Sequence, residues 1–179
     1  MAGRPEGGAK ERGAFGSCDH PKRSPRWVKI VKSTIMEAPV EAVWEVLRDF
    51  NGHDQWHPAV ADSHIERGQP SDKVGCVRRF HLADGSELRE QLLTMSDIDM
   101  AFSYCLLDTP IPLLNYVAHV RLIPVTDGDM TFWHWGSRFD TPPGREAELQ
   151  KQVGEEIYEG GFHAVRAFMG LAPASQGGA

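Results

Sequence analysis

From Trp27 to Met36, β-branched and apolar residues alternate with Lys29, Lys32 and Ser33, the two-residue period of a half-buried strand. The period then changes. Ala38-Pro39 opens a short helix in which Val40, Val43, Trp44 and Leu47 share one face, with Pro39 suited to the first turn and Gly52 beyond the end. A tight segment, Asn51 to Pro58, leads into six further runs of strand character: Val60–Glu66, Cys76–Ala83, Ser86–Met95, Met100–Leu107, Leu114–Pro124 and Met130–Phe139. Their links are short and rich in turn formers, such as Gly68-Gln69-Pro70-Ser71, Asp84-Gly85 and Asp127-Gly128-Asp129, which suits an antiparallel meander better than βαβ crossovers. Over Arg145–Met169 helical spacing returns, with Leu149, Val153, Ile157, Gly161, Ala164 and Phe168 at steps of three and four. One long amphipathic helix covering the apolar face of a curved sheet gives an α+β layer pair. Gly160-Gly161 interrupts that helix and marks either a close approach or a kink.

Strand parity decides which side chains face the helix. On Cys76–Ala83 one face reads Cys76, Arg78, Phe80, Leu82; on Ser86–Met95 one reads Leu88, Glu90, Leu92, so each apolar face carries a single charge. A two-residue Asp84-Gly85 hairpin would pair Arg78 with Gln91 and set the apolar faces on opposite sides. A three-residue loop, Ala83-Asp84-Gly85, with glycine in the left-handed conformation, instead sets Phe80 opposite Leu88 and Arg78 opposite Glu90. That register predicts an Arg and a Glu facing each other on a buried surface, where charges survive only when compensated and hydrogen-bonded. The later strands add Phe102, Tyr104 and Leu106, then Tyr116, Ala118, Val120 and Leu122, then Thr131, Trp133 and Trp135. Rings with polar tips are unlike a plain aliphatic core. They fit an apolar pocket with a few placed polar groups, and equally a solid core that holds one ion pair.

Composition narrows the class. The 179 residues are 41% hydrophobic and 25% charged, with 18 Gly and 12 Pro, as in an ordinary globular domain. Residues 1–26 stand apart: five Gly, six Lys or Arg and three acids, with almost no large apolar side chain, read as a disordered basic arm. Residues 172–179 read as a disordered tail. The net charge of −6 becomes about −9 once the arm is set aside, and an acidic body argues against nucleic acid as a partner. Cys18, Cys76 and Cys105 are far apart, without CxxC or finger spacing, which argues against a disulfide framework and structural zinc and favours a reducing compartment. No apolar stretch approaches a membrane span and the N-terminal residues lack a signal-like apolar segment, so the expected location is the cytoplasm. His53-Asp54-Gln55-Trp56-His57 spaces two histidines as in a zinc-protease helix, but Asp stands in place of Glu, and Gly52 and Pro58 leave barely one turn. Trp56 and His57 are expected at a cavity mouth, bodies packed and polar edges wet. With no Gly-rich phosphate loop, nucleotide fingerprint or Ser-His-Asp elbow, neither a metal nor a cofactor is expected.

In order along the chain stand Val43-Trp44-Glu45-Val46-Leu47-Arg48-Asp49-Phe50, Trp56-His57-Pro58-Ala59-Val60, Gly75-Cys76-Val77-Arg78-Arg79, Asp84-Gly85, Glu90-Gln91-Leu92, Ser103-Tyr104, Asn115-Tyr116-Val117-Ala118 and Trp135. Over residues 27–171 they resemble the polyketide cyclase/dehydrase branch of the START-like (SRPBCC) superfamily. The resemblance implies a helix-grip fold: a seven-stranded curved antiparallel sheet around a long C-terminal helix, two short helices after the first strand, and a ligand cavity between. It also implies that Arg78 and Glu90 stand where lachrymatory factor synthases carry a catalytic Arg and Glu. Glu90 and Tyr116 correspond to pocket residues of abscisic-acid receptors. In place of those receptors' gate and latch the chain has Ala83-Asp84-Gly85-Ser86 and Pro110-Ile111-Pro112-Leu113-Leu114, which speaks against hormone reception.

The function so implied is binding of a small hydrophobic ligand, polyketide-, lipid- or hormone-like. Arg78 and Glu90 would fix its polar end, and Phe80, Leu88, Tyr104, Tyr116, Ala118, Trp133, Trp135, Val153, Ile157 and Gly161 would surround its body. The alternative is a cofactor-independent cyclase, dehydratase or isomerase, with Glu90 as general base and Arg78 as its electrostatic partner. A protein-interaction module with a filled cavity is a third reading. Burial raises a carboxyl pKa and a neighbouring guanidinium lowers it, so the net direction at Glu90 is open at this level. No pattern in the chain specifies an oligomeric state.

Overall fold

The computed structural model describes residues 27–173; the expected arm (1–26) and positions 174–179 of the expected tail lie outside the described residues. Seven strands form one antiparallel sheet in the order β1-β7-β6-β5-β4-β3-β2. They are β1 (Trp27–Met36), β2 (Val60–Ile65), β3 (Val77–Leu82), β4 (Glu87–Ser96), β5 (Ala101–Asp108), β6 (Leu114–Val125) and β7 (Met130–Asp140). Each alternating run of the sequence is a strand, with ends moved by no more than one residue. The meander runs from β2 to β7, and β1 pairs with the far edge of β7.

The stripe on helix α1 (Val40–Arg48) is the one its spacing sets: Val40, Val43, Trp44 and Leu47 are buried. Trp44 and Arg48 both donate to Asp97 in the β4–β5 turn, at 2.8 and 3.0 Å, which holds α1 over that end of the sheet. Helix α2 (His53–Trp56) is a single turn. The β3–β4 hairpin has the three-residue loop. Gly85 sits at φ +85°, Leu82 N donates to Ser86 O at 2.8 Å, and Asp84 accepts from the Ser86 amide. Phe80 therefore faces Leu88 and Arg78 faces Glu90.

Bulges curve the sheet and aim its side chains. One lies where β4 pairs with β5 beside Glu90, another between Leu92 and Thr94, and a third at the start of β6. In the last, Asn115 takes φ +53° and its amide donates to Asp140 at 2.7 Å, so that Leu114 stays exposed and Tyr116 turns into the interior.

The C-terminal helix departs from the expected stripe. It begins as α3 (Glu146–Lys151), widens into a π-helical segment (Gln152–Glu159), and continues as α4 (Gly160–Phe168) with right-handed backbone angles throughout. The wider turn separates Val153 from the next fully buried side chain, that of Tyr158, by five positions rather than four. Downstream Gly161 and Ala164 are buried as expected, but the inward face also takes in Tyr158, Phe162 and Val165, while Phe168, expected inside, is exposed and Ile157 is only half-buried. At the glycine pair the backbone stays helical, with Gly160 at φ −57° and ψ −43°. A Cβ at Gly161 would come within 2.7 Å of Trp135 Cζ3, so this position lets helix and sheet approach. Gly160 has nothing within 4 Å of its notional Cβ. Buried Arg166 locks the far end of the helix by donating to Thr34 Oγ1 at 2.9 Å and to the Ile35 carbonyl.

The two glycines should therefore respond oppositely to alanine. Gly160→Ala is expected to raise stability by about 0.5–1 kcal/mol through helix propensity. Gly161→Ala should lower it by about 1–3 kcal/mol through overpacking against the indole. Urea unfolding midpoints measure both, and two shifts of the same sign would contradict this account of the contact.

Candidate functional site

The charged pair predicted from strand parity is formed and buried. Arg78 Nε and Nη2 donate to Glu90 Oε2 at 2.7 and 2.5 Å, and Nη1 donates to the Phe50 carbonyl, just past α1, at 2.7 Å. Arg78 and Glu90 are 7% and 6% exposed, low enough for the pair to feel little solvent screening. The guanidinium carbon lies 4.2 Å from the Phe50 ring centre and within 5.7 Å of those of Phe80 and Tyr104, stacking distances at which ring faces stabilise a cation.

In front of this pair a cavity of about 220 Å³ opens between sheet and helix. Its sheet wall is Val60, Phe80, Leu82, Leu88, Glu90, Tyr104, Leu106, Tyr116 and Trp135. The mouth is made by His53, His57 and Ala59 near α2, by Thr109, Ile111 and Leu113 in the β5–β6 loop, and by Gln152, Glu156 and Ile157 of the π-helical segment. Tyr116 shares a hydrogen bond of 2.6 Å with Tyr158, whose ring stacks on Trp135 with centres 4.3 Å apart. One helix turn, one strand end and the indole of β7 thus hold each other in place.

Of the residues expected around a ligand, Phe80, Leu88, Glu90, Tyr104, Tyr116, Trp135 and Ile157 line the cavity, with His57 at its mouth. Arg78, Ala118, Trp133, Val153 and Gly161 do not. Arg78 lies behind Glu90, Trp133 packs edge-on against Phe162, Val153 and Ala118 are fully enclosed in the core, and Gly161 sits against Trp135. Trp56 packs on His53, centres 4.7 Å apart, and lines a separate void of about 20 Å³ with Arg78, Trp133 and Trp135. Tyr158, Thr109, Ile111, Leu113, Gln152 and Glu156 were not expected. The burial of Tyr158 follows from the π-helical shift, Gln152 and Glu156 are polar residues on the edge of the apolar stripe, and the β5–β6 loop has no periodicity from which its orientation could be read.

Environment sets the protonation of these groups. Burial pushes the Glu90 carboxyl above its ordinary value, against the pull of Arg78's charge and hydrogen bonds. Burial drives His53 well down and His57 down, with the Arg78 charge adding to both, so the two rings are neutral near pH 7. Burial also raises the Tyr104 and Tyr116 phenols well above their usual range, keeping them protonated donors. The pair of histidines does not recruit further ligands: among the described residues no group of three or more His, Cys, Asp or Glu converges. Among the described residues no helix is long and apolar enough to cross a membrane.

The sheet wrapped around one helix, with a cavity between them, is the helix-grip arrangement. The family model described as polyketide cyclase / dehydrase and lipid transport matches residues 28–169, and the protein belongs to that family. Solved structures share the fold. A protein from Thermobifida fusca is 26% identical with a TM-score of 0.71, over 80% of this chain and 94% of that one. An uncharacterized protein from Bacillus thuringiensis (23% identity, TM-score 0.70) matches over 79% of this chain and 99% of its own. The protein XoxI from Bacillus cereus (22%, TM-score 0.70) covers 79% and 96%. A comparison with curated proteins finds no match.

Removing the cation tests how the pair is balanced. Arg78→Leu leaves a buried carboxylate without compensation and should cost about 3–5 kcal/mol, part of which Arg78→Leu/Glu90→Leu restores. In Arg78→Leu the Glu90 carboxyl should titrate at higher pH than in the wild type, because both influences that lower it are gone. With the folded value raised above the unfolded one, stability contributed by Glu90 is full at low pH and is lost as pH rises through that value. Carboxyl ¹³C NMR titration reads this directly, and an unchanged midpoint would contradict the coupling.

Proposed function

We propose that the protein is a cytoplasmic binder of a small hydrophobic ligand, held between the sheet and the C-terminal helix with its polar end toward Glu90. The observation that carries this reading is the cavity: about 220 Å³ of mainly apolar space with a buried carboxylate and two phenols at its inner end. Such a lining is what ligand sites require, an apolar body with few orienting groups. Leaving apolar space of that size unfilled costs up to about 5 kcal/mol relative to a packed core, which a ligand offsets. The family's range, polyketide cyclases, dehydrases and lipid transport, supports a hydrophobic ligand.

Native mass spectrometry of freshly purified protein is expected to reveal a co-purified small molecule, and prodan, a neutral apolar dye built on two fused rings, should bind to protein stripped of it. Ile157→Trp fills the cavity from the helix side and should weaken dye binding by about tenfold or more while leaving the fold intact by circular dichroism. Absence of both a co-purified molecule and dye binding by the wild type would defeat the reading.

One observation favours catalysis as a second reading: the Glu90 carboxyl, raised by burial, shares the cavity wall with the protonated Tyr104 phenol, which suits a general base facing a donor for developing negative charge. Glu90→Gln separates the two. A binder keeps its affinity and has no turnover to lose; an enzyme keeps affinity and loses turnover by about 100-fold or more. Full activity in that variant removes Glu90 as the base.

A further inference from the structure

The charges around the cavity are one-sided. Its wall contains two carboxylates, Glu90 at the inner end and Glu156 at the mouth, and among the described residues no Lys or Arg. The cation expected to greet a ligand is withdrawn: Arg78 points its Nε and Nη2 at Glu90 and its Nη1 at the Phe50 carbonyl, behind the wall. Its charge is already compensated. Both bonds to Glu90 fall on Oε2, so Oε1 keeps its capacity to accept from a donor inside the cavity. The two histidines at the mouth add no positive charge, because burial keeps them neutral.

We propose that this site selects by charge, taking an uncharged or cationic molecule that presents an O–H or N–H donor to Glu90 Oε1 and rejecting carboxylates, fatty acids included. The inference rests on the ligand-binding reading and deepens it. An anionic head at the inner end would meet the Glu90 carboxylate where little water screens the repulsion. A hydroxyl or amine there gains a charge-assisted hydrogen bond. Tyr104 can donate to a neutral carbonyl or hydroxyl acceptor on the same molecule, while the Tyr116 hydroxyl is engaged with Tyr158. Size narrows the class further: apolar cavities of about 150 Å³ take one benzene ring, so 220 Å³ suits a compact body of one or two rings.

Two probes with one skeleton test the rule, 2-naphthol and 2-naphthoate, titrated calorimetrically into stripped full-length protein at about pH 7. Naphthol is expected to bind about tenfold or more tightly than naphthoate. Glu90→Gln, which removes the charge and keeps an acceptor, should shrink that preference to within a few-fold. Naphthoate binding comparable to or tighter than naphthol would overturn charge selection and leave ligand binding standing, as would a folded Glu90→Gln variant with the preference unchanged. If neither probe binds, the ligand-binding reading falls and this inference with it.

Discussion

A guanidinium and a carboxylate taken out of water together impose conditions on everything around them. Desolvating each ion costs several kcal/mol, recovered only if geometry and hydrogen bonding are good. Here the recovery draws on several elements at once. β3 and β4 supply the two charges in register, the chain leaving α1 supplies the Phe50 carbonyl, and Phe50, Phe80 and Tyr104 supply ring faces. The position of α1, itself tied to Asp97 in the β4–β5 turn, is thereby coupled to the chemistry of the cavity wall. The ion pair is both part of the framework and the source of the site's polarity, and the two roles are divided between its members: the arginine faces the framework and the glutamate the ligand space.

The opposite wall obeys a different constraint, the packing of large rings. Trp133 stacks on Trp135 with planes 10° apart, Trp135 on Tyr158, and Tyr158 is bonded to Tyr116. A regular α-helix could not present both Val153 and Tyr158 inward while keeping Gly161 over Trp135, and the π-helical turn reconciles the three. Such turns recur near functional sites because they displace side chains by one position without breaking the helix. In this protein the widened segment contributes Gln152, Glu156 and Ile157 to the cavity mouth.

How far these features could be read beforehand depends on the physics behind each. The strands were legible because alternation follows from the pleat, and the Arg78–Glu90 pairing was legible because Asp84-Gly85 limits the hairpin to a few geometries with distinguishable registers. Parity also places Phe80, Leu88, Tyr104, Tyr116 and Trp135 on one face. It cannot say how far a long side chain reaches, so Arg78 was expected in the ligand space and is found behind Glu90. Nor does helical spacing register a π turn, which is why Phe168 was placed inside and Tyr158 overlooked. Thr109, Ile111 and Leu113 lie in a loop whose path is set by contacts distant in sequence, and no local pattern encodes it.

The three-residue β3–β4 loop has an evolutionary corollary. Solvent-exposed hairpin tips are ordinarily where chains gain and lose residues most freely. At this tip a single insertion or deletion would slide β3 against β4 and swap the partner of Arg78, stranding two opposite charges in the protein's interior. Homologues that preserve the pocket's chemistry should therefore vary in the identity of residues 83–86 far more than in their number, so that a surface turn becomes the most length-restricted segment of the domain.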